Sequence, residues 1–290
     1  MRDLPVKKSL YILPGGGLGN RLLVVSSIIN LVRDYDIENV VIYWKNHNEC
    51  GCDFEDIISE LPIKCTVKNV YYVKENYGKL ISELKIGEVF KKLFLSVRNS
   101  FFIGAFRNRL TQVNSVRLGE CSEALKEKFL SEKDKKIYIE TCEQFYGDLD
   151  LSKVKFNKEV VSKFNGFKDR VGSYDAMHIR RTDHADAIHN SPTALFMHKA
   201  DEIIEKNKNA RIYLASDDTT VISEFKEKYP DNIVSEAADN VTRLTSDGIR
   251  YALYEMMLLS GAQTLYASYG STFSLVANSM GKNKMVVLKK

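Results

Sequence analysis

The alternation of short apolar strands with amphipathic helices, from Ser173 to Leu288, is the feature that most restricts the fold of this chain. The predicted strands are Ser173–Ile179, Arg211–Ser216, Ile233–Ser235, Thr264–Ala267 and Met285–Leu288, and the predicted helices between them are Pro192–Lys206, Thr219–Tyr229, Asp247–Ser260 and Ser271–Met280. Strands that are separated by helices cannot pair as hairpins, so the pattern predicts a parallel sheet in an α/β fold. Prolines at a helix start (Pro192) and just past a helix end (Pro230) support these boundaries.

The first half of the chain follows the same pattern less regularly. Strands are predicted at Ser9–Leu13, Asn39–Trp44, Lys68–Val73 and Lys136–Glu140, and helices at Asn20–Val32, Asp53–Glu60 and Lys158–Phe164. A lysine-rich stretch with Gly166 and Gly172 separates the two halves, and we place the domain junction there. The prediction is therefore two Rossmann-like β/α/β domains, residues 1–165 and 166–290, with a ligand in the cleft between them.

The composition is that of a globular protein and gives no sign of a membrane span. A hydrophobic content of 44% is enough for a globular core, and a net charge of +4 does not by itself imply a nucleic-acid partner. No apolar run reaches the roughly 18 residues of a membrane span. The N-terminus, Met1 to Lys8, is charged and precedes only a short apolar run, so no signal peptide is predicted and a cytoplasmic location is expected.

The cysteine pattern favours reduced thiols. Five cysteines, an odd number without a secretion signal, occur at Cys50, Cys52, Cys65, Cys121 and Cys142. Cys50-Gly51-Cys52 with His47 nearby is also compatible with a metal. The spacing is not that of a zinc finger and no second Cys/His pair follows, so ordinary thiols and no metal site are predicted.

One segment, residues 90–117, carries basic residues and phenylalanines but no acid. It belongs to a longer stretch, 75–116, with apolar residues at helical spacing. We favour a pair of core helices with a solvated basic face. The alternative is a surface segment that makes peripheral contact with the inner face of a membrane.

The strongest candidate for a binding site follows the strand Ser173–Ile179. The next residues are Arg180 and Arg181, then Thr182, Asp183, His184 and Asp186. Arginine offers a planar fork of donors that matches phosphate oxygens, and ligands of α/β sheets bind beyond the carboxyl ends of strands. The pattern predicts a diphosphate site. A surface strand end with arginines paired to Asp183 and Asp186 is equally compatible with the local pattern.

A glycine loop, Gly15 to Gly19, connects the first predicted strand to the first predicted helix. This order points backbone N–H groups at an anion, although the pattern is neither a dinucleotide fingerprint nor a P-loop. A tight β–α turn that uses glycine for its backbone freedom is the alternative.

His178-Ile179-Arg180-Arg181-Thr182-Asp183 resembles the His-x-Arg-Arg motif of the fucosyltransferase superfamily, and within it the α1,6-fucosyltransferases and their NodZ-like bacterial relatives. Three further stretches resemble the same family in the same order: Pro14–Arg21, Tyr213–Asp218 and Tyr254–Ala277. The resemblance implies a GT-B fold with the donor held mainly by the C-terminal half. It also implies inverting transfer from GDP-fucose, as co-substrate, to a glycan hydroxyl, without a metal or other cofactor, on a bacterial surface or exported glycan.

The resemblance assigns roles to individual residues. Arg180 falls on the arginine that grips the β-phosphate, Ser271 on a serine that contacts the phosphate, and His178 on a histidine that helps to hold guanine. Glu255 stands where the family usually has a base-binding aspartate. Arg181 is either structural or a second electrostatic contributor, and Asp218 is equally well a helix N-cap. The predicted donor-binding residues are His178, Arg180, Arg181, Asp183, Asp217, Asp218, Glu255, Ser271, Gly17, Gly19 and Asn20.

For the catalytic base we predict Asp186, with His189 as the second candidate and Arg180 as the residue that stabilises the leaving group. Asp183 is expected to be tied to backbone N–H groups or an arginine, which would make it a poor base. The family's lysine and glutamate after the motif meet His184 and Ile188 here, so the acceptor and the sugar stay open. The alternatives are a non-catalytic nucleotide- or glycan-binding protein of GT-B-like shape and a transferase that uses another nucleotide sugar.

Overall fold

The computed structural model describes residues 8–35, 37–71, 87, 90, 94, 97–98, 111–114, 136–182, 185–236, 242–281 and 283–290. The chain divides into two compact units. The first contains Met1–Asn157 and Thr242–Arg250, and the second contains Lys158–Val241 and Tyr251–Lys290. The junction predicted at residue 165 lies inside a helix, α2 (Lys158–Val171), which continues through Gly166.

The first unit is built on a five-stranded parallel sheet. Its strands are β1 (Lys8–Pro14), β2 (Ile37–Asn46), β4 (Thr66–Tyr71), β5 (Thr111–Asn114) and β6 (Lys136–Thr141), in the order β4-β2-β1-β6-β5. Helix α1 (Leu18–Asp34) follows β1. Four of these strands were predicted from the sequence. The fifth strand, β5, was not predicted. It lies inside the stretch 75–116, which we interpreted as helical, and it pairs with β6.

The prediction of a helix at Asp53–Glu60 is wrong. A single 3-10 turn, Phe54–Asp56, is followed by strand β3 (Ile58–Glu60), which pairs antiparallel with β7 (Lys155–Phe156). Asp53 begins the turn, and its carboxylate accepts hydrogen bonds from Asn46 Nδ2 (2.9 Å) and Tyr71 Oη (2.6 Å). These bonds tie the turn to the ends of β2 and β4, so the segment cannot continue as a helix.

The second unit repeats the architecture with nearly the predicted boundaries. Its strands are β8 (Asp175–Ile179), β9 (Ile212–Ser216), β10 (Ile233–Val234), β11 (Thr264–Ser268) and β12 (Lys284–Leu288), in the parallel order β10-β9-β8-β11-β12. Its helices after α2 are α3 (Ala185–Asn190), α4 (Thr193–Lys206), α5 (Thr219–Lys228), α6 (Ser246–Ser260, which begins in the first unit) and α7 (Thr272–Gly281). The prediction of parallel sheets in an α/β fold is confirmed.

Alternating side chains of the second sheet face two different layers. Met177, Ile179 and Leu214 point into a core formed with Phe196 of α4 and Phe225 of α5, and all five are fully buried. Because side chains alternate along a strand, the neighbours of these residues point to the opposite face. His178 of β8 and Tyr213 of β9 therefore share the other layer, where the ring of Tyr213 meets Phe167 of α2.

Strand β5 contradicts a helix at residues 111–114, and most of the rest of the basic segment 90–117 lies outside the described residues, so peripheral membrane contact stays a prediction. Phe90, Phe94 and Val97, which are described, have exposed side chains. Among the described residues, no helix is long and apolar enough to cross a membrane.

Candidate functional site

The arginine motif lies where the strand order of the second sheet reverses. The chain runs outward from β8 through β9 to β10 and then returns to place β11 on the other side of β8. Loops at the carboxyl ends of β8 and β11 therefore leave the sheet in opposite directions and open a crevice, which is where open α/β sheets bind ligands. Arg180 follows β8, and the segment from Tyr269 to Ser271 follows β11.

The carboxylate of Asp217, at the end of β9, organises the motif. It accepts hydrogen bonds from the backbone N–H groups of Arg181 (2.7 Å) and Thr182 (3.2 Å) and from the Thr182 hydroxyl (2.8 Å). It also forms an ion pair with Arg180, whose Nη1 lies 3.0 Å from Oδ2. Burial alone would raise the pKa of Asp217, but these hydrogen bonds and the charge of Arg180 outweigh it and lower the pKa.

This ion pair fixes Arg180 at the crevice. The side chains of Arg180 and Asp217 are only 20% and 18% exposed, so their attraction is less screened than that of a surface pair. Two serines hold the backbone on either side: Ser268 accepts from the Arg180 N–H (3.0 Å), and Ser216 donates to the carbonyl of Ile179 (2.8 Å). A guanidinium presents its N–H donors in one plane, a geometry that matches the oxygens of a phosphate.

Arg181 makes bonds of a different kind. Its Nε donates to Thr193 Oγ1 (3.1 Å), and its two terminal nitrogens donate to the carbonyls of Arg180 (2.6 Å) and Ser191 (2.7 Å). Burial lowers the pKa of Arg181, and the charge of Asp217 opposes that effect. The side chain clamps the motif loop against the start of α4, which is the structural role that the sequence left open.

His178 is a buried, neutral imidazole. Burial, reinforced by the charge of Arg180, lowers its pKa to about 4, so the ring is uncharged at neutral pH. Its Nδ1 lies 2.7 Å from the hydroxyl of Ser274 and 3.4 Å from that of Ser271, and its ring packs against Phe273 at 5.0 Å. All three partners belong to the turn and first residues of α7, so His178 ties β8 to that helix end.

Ser271 stands at the N-terminus of α7, after Gly270, whose φ of +67° is in the left-handed region. Its hydroxyl lies 3.4 Å from the backbone nitrogen of Ser274 and faces His178. None of the first residues of α7 is acidic, so the positive end of the helix is not neutralised there. The arrangement suits an anion, although the Ser271 hydroxyl already has partners within the protein. The contact between Ser271 and a phosphate stays a prediction.

Glu255, on α6, is a carboxylate set among tyrosines. Tyr213 Oη lies 3.4 Å from Oε1. Burial raises the pKa of Glu255 to about 7, and hydrogen bonds from Tyr213 and Tyr251 limit the rise. The charge of Asp217 also raises this pKa. Near neutral pH this side chain changes between a hydrogen-bond donor and a pure acceptor.

The glycine loop forms the corresponding edge of the first sheet, beyond β1 and beside β6. Gly15 N–H donates to the carbonyl of Thr141 (2.8 Å), and Gly16 has a φ of +73°. A Cβ at Gly16 would also come within 3.0 Å of the Asn20 side chain, so glycine is required there. Gly17 is the N-cap of α1 without a side-chain cap, which leaves the first N–H groups of the helix, including Gly19 and Asn20, for other acceptors.

Several predicted residues are not drawn into this constellation. Asp186 and His189 lie on the short helix α3, and both are exposed. Asp218 is the N-cap of α5, where its carboxylate accepts from Thr220 N–H (2.9 Å). Asp183 and His184 lie outside the described residues. Within the described ranges, no group of three His, Cys, Asp or Glu side chains is placed to hold a metal ion.

Sequence reasoning missed the residues that support the site. They are hydroxyls and one phenol whose roles depend on tertiary contacts: Ser191, Thr193, Tyr213, Ser216, Ser268 and Ser274. Ser216 and Ser268 each end a strand that neighbours β8, and both lie in stretches that resemble the fucosyltransferase family, Tyr213–Asp218 and Tyr254–Ala277. These positions were the signals available from the sequence.

No family model matches the sequence. Solved structures do match the fold. NodZ from Bradyrhizobium is 14% identical with a TM-score of 0.55, over 94% of this chain and 92% of that chain. An Arabidopsis thaliana FUT1 mutant in complex with GDP is 14% identical, with a TM-score of 0.55, over 98% and 71%. POFUT1 in complex with GDP-fucose is 12% identical, with a TM-score of 0.54, over 98% of both chains.

This is the GT-B-like fold of the fucosyltransferases. The predicted fold class is confirmed, because all three structures match nearly the whole length of this chain. At these identities the likeness establishes the fold, and the chemistry has to be argued from the site.

The raised pKa of Glu255 predicts a pH-dependent stability. The folded-state pKa of about 7 exceeds the reference value of 4.5, so the folded protein holds an extra proton between these pH values. The free energy of unfolding should therefore fall as pH rises from about 4.5 to 7, and the protonated form gives full stability below that window. Glu255→Gln should remove this contribution, measured by urea unfolding across the pH series.

The matched control is Glu205→Gln, an exposed glutamate on α4 of the same unit, which should keep the wild-type pH profile. Parallel profiles for the wild type and Glu255→Gln would contradict the assignment.

Proposed function

We propose that this chain is a glycosyltransferase that transfers fucose from GDP-fucose to a glycan hydroxyl, with inversion at the anomeric carbon and without a required metal ion. The observation that carries the proposal is Arg180, held by Asp217 at the crevice of the second sheet. The fold is that of NodZ and POFUT1, which have been solved with GDP-fucose. Arg180 also lies in the motif that resembles the family's phosphate-gripping arginine.

Charge development explains why such an arginine matters. When the bond between the sugar and the β-phosphate breaks, negative charge grows on the phosphate oxygens. Donors that are already fixed in place stabilise that charge without reorganising during the reaction. Arg180 is fixed by Asp217, and the N-terminus of α7 contributes a partial positive charge at the adjacent loop. These groups would take the part that a metal ion plays in metal-dependent transferases.

Guanine recognition is assigned to Glu255 and His178. A carboxylate can accept hydrogen bonds from both guanine N1–H and the exocyclic amine, which adenine and uracil do not present in that arrangement. Tyr213 and Tyr251 hold Glu255 from the protein side. His178 is neutral, so it offers one donor and one acceptor nitrogen rather than a second positive charge.

Nucleotide selectivity tests this assignment. GDP should raise the melting temperature more than UDP or ADP at equal concentration, with or without EDTA. A ligand at a hundredfold excess over its Kd stabilises the folded state by about 2.7 kcal/mol. Glu255→Gln should lose the preference for GDP while the wild type keeps it. UDP matching GDP, or a strict need for Mg²⁺, would contradict both the guanine assignment and metal-independent binding.

Arg180 is the decisive residue for catalysis. Arg180→Ala should lower kcat about 10²-fold to 10³-fold, the usual loss when one oxyanion donor is removed. Arg180→Lys should recover little, because a point charge does not reproduce the planar fork. Arg211→Lys, at an exposed arginine of the same unit, is the matched control and should keep wild-type activity. Near-normal turnover by Arg180→Ala would place the diphosphate elsewhere.

Release of GDP from GDP-fucose by the wild type separates an enzyme from a non-catalytic binding protein of the same shape. Slow hydrolysis of the donor, absent in Arg180→Ala, supports catalysis. A panel of other nucleotide sugars in the same assay tests the alternative donors. Binding of GDP without any turnover by the wild type, in the presence or absence of glycan acceptors, would favour the binding protein.

The catalytic base remains assigned to Asp186. This carboxylate is exposed on α3, the helix that follows the motif, and the backbone carbonyl of Asp186 accepts a hydrogen bond from Asn190 Nδ2 (2.8 Å). It is therefore available to an acceptor hydroxyl. Asp186→Asn should lower kcat about 10²-fold to 10⁴-fold with little change in GDP affinity. The kcat of Asp186→Asn is compared with that of His189→Gln, which changes the second candidate base on the same helix. Full turnover by Asp186→Asn together with loss in Asp183→Asn would move the base into the motif.

A further inference from the structure

Arg21, in the first turn of α1, is a fully buried cation with an incomplete set of partners. Its Nε donates to the carbonyl of Gly16 (2.9 Å), and its guanidinium lies 4.8 Å from the centre of the Trp44 ring. Among the described residues, no hydrogen-bond partner is present for its two terminal nitrogens. A buried charge is costly unless an opposite charge balances it, so this site calls for an anion.

Two thiols are connected to this cation through Trp44, whose ring faces Arg21 and whose Nε1 donates a hydrogen bond to the carbonyl of Cys52 (3.1 Å). Cys50 and Cys52 are both fully buried, and their Sγ atoms are 3.6 Å apart. Gly51 makes this approach possible. Its N–H donates to the carbonyl of Arg243, and a Cβ on Gly51 would lie 2.4 Å from the backbone of Leu244, so glycine is required between the cysteines. The pair is therefore held together by packing within the first unit.

We propose that Cys50 and Cys52 are a redox-active dithiol that hydrogen peroxide converts reversibly into a disulfide, with Arg21 as the counter-ion of the Cys50 thiolate. The hydrogen bond from Cys52 and the charge of Arg21 lower the pKa of Cys50, against the effects of burial and of the nearby charges of Glu49 and Asp56. A thiolate is the reactive form of cysteine, and a neighbouring cation favours that form.

The reaction balances with one molecule of peroxide. The Cys50 thiolate attacks one peroxide oxygen, the O–O bond breaks, and the departing hydroxide takes a proton to become water. The Cys52 thiol then attacks the sulfur of the resulting sulfenic acid. The S–S bond forms, the S–O bond breaks, and the second oxygen leaves with the thiol proton as water. Two thiols and one peroxide give one disulfide and two waters, and an added dithiol reverses the oxidation.

The turn that carries the pair provides access for a small oxidant. His47 and Cys50 bridge across Asn48 and Glu49, which are both exposed. Opening of this single turn would bring Cys50 to solvent without unfolding the sheet. Oxidation then removes the anion beside Arg21. Since Arg21 holds the carbonyl of Gly16, we expect the disulfide to loosen the glycine loop.

Peptide mass spectrometry tests the reaction. The reduced full-length chain is treated with equimolar hydrogen peroxide at pH 7 and then digested. The peptide that contains Cys50 and Cys52 should lose the mass of two hydrogen atoms and regain it with dithiothreitol. Cys65, a partly buried thiol, should react more slowly and serves as the internal control. Unmodified Cys50 and Cys52, or oxidation of Cys50 to the sulfinic acid without a disulfide, would overturn the proposal.

The role of Arg21 is tested separately. Arg21→Met should slow disulfide formation at pH 7 about tenfold or more, because an ordinary thiol is only a few per cent ionised there. If Arg21→Met does not fold, the pH profile of the wild-type reaction decides. A midpoint below the ordinary thiol value of about 8.5 supports the ion pair, and a midpoint at or above it overturns the role of Arg21. Cys52→Ser should abolish the disulfide, because oxidised Cys50 then lacks its partner thiol. Oxidation of Cys50 should then give a mixture of products.

Discussion

The carboxylate of Asp217 accepts hydrogen bonds from two consecutive backbone N–H groups and one hydroxyl of the arginine motif, and it also pairs with Arg180. The candidate site depends on this one group. Without it, the partly buried N–H of Arg181 and the exposed N–H of Thr182 would lose their acceptor, and Arg180 would lose its orientation. The same bonds lower the pKa of Asp217, so its negative charge is maintained through the neutral range. Arg180 is therefore a fixed cation rather than a mobile surface side chain.

Both units place a loop after the central strand of a parallel sheet, but different chemical groups build the two loops. Each has a five-stranded parallel sheet in which the central strand, β1 or β8, is followed by a loop at the point where the strand order reverses. In the first unit the loop is made of glycines: Gly16 has a positive φ, and a Cβ there would crowd the side chain of Asn20. In the second unit the loop carries arginines, and neighbouring hydroxyls and a carboxylate supply the bonds that hold it. Backbone N–H groups serve the first edge and side-chain charge serves the second.

The sequence predicted most of the architecture because alternating apolar segments encode the strand and helix periods directly. The prediction of secondary structure failed where tertiary contacts outweighed the local sequence pattern. Asp53–Glu60 has a helix-like start, but Asp53 is tied to Asn46 and Tyr71 and Ile58 pairs with β7, so only one turn forms. The burial of Arg21 could not be predicted either, since an arginine in the first turn of a helix is normally solvated.

The candidate site was partly visible in the sequence for the same reasons. Arginines and carboxylates stand out by type, and their position after a predicted strand placed them at the binding edge. Which of Asp217 and Asp218 serves the motif was not visible, because both follow the strand. Side-chain direction decides it: Asp217 turns toward the motif and Asp218 caps α5. The hydrogen bonds of Ser216 and Ser268 join residues far apart in the sequence, so their support of β8 becomes visible in the tertiary structure.

Phosphorus NMR of GDP bound to the wild type and to Arg180→Lys tests the central claim, that Arg180 grips the β-phosphate. The account predicts that the β-phosphate resonance shifts on binding to the wild type and that the bound shift changes in Arg180→Lys, with the α-phosphate less affected. A bound β-phosphate resonance that is the same in both proteins would contradict the claim, because the arginine would then have no contact with the group that leaves.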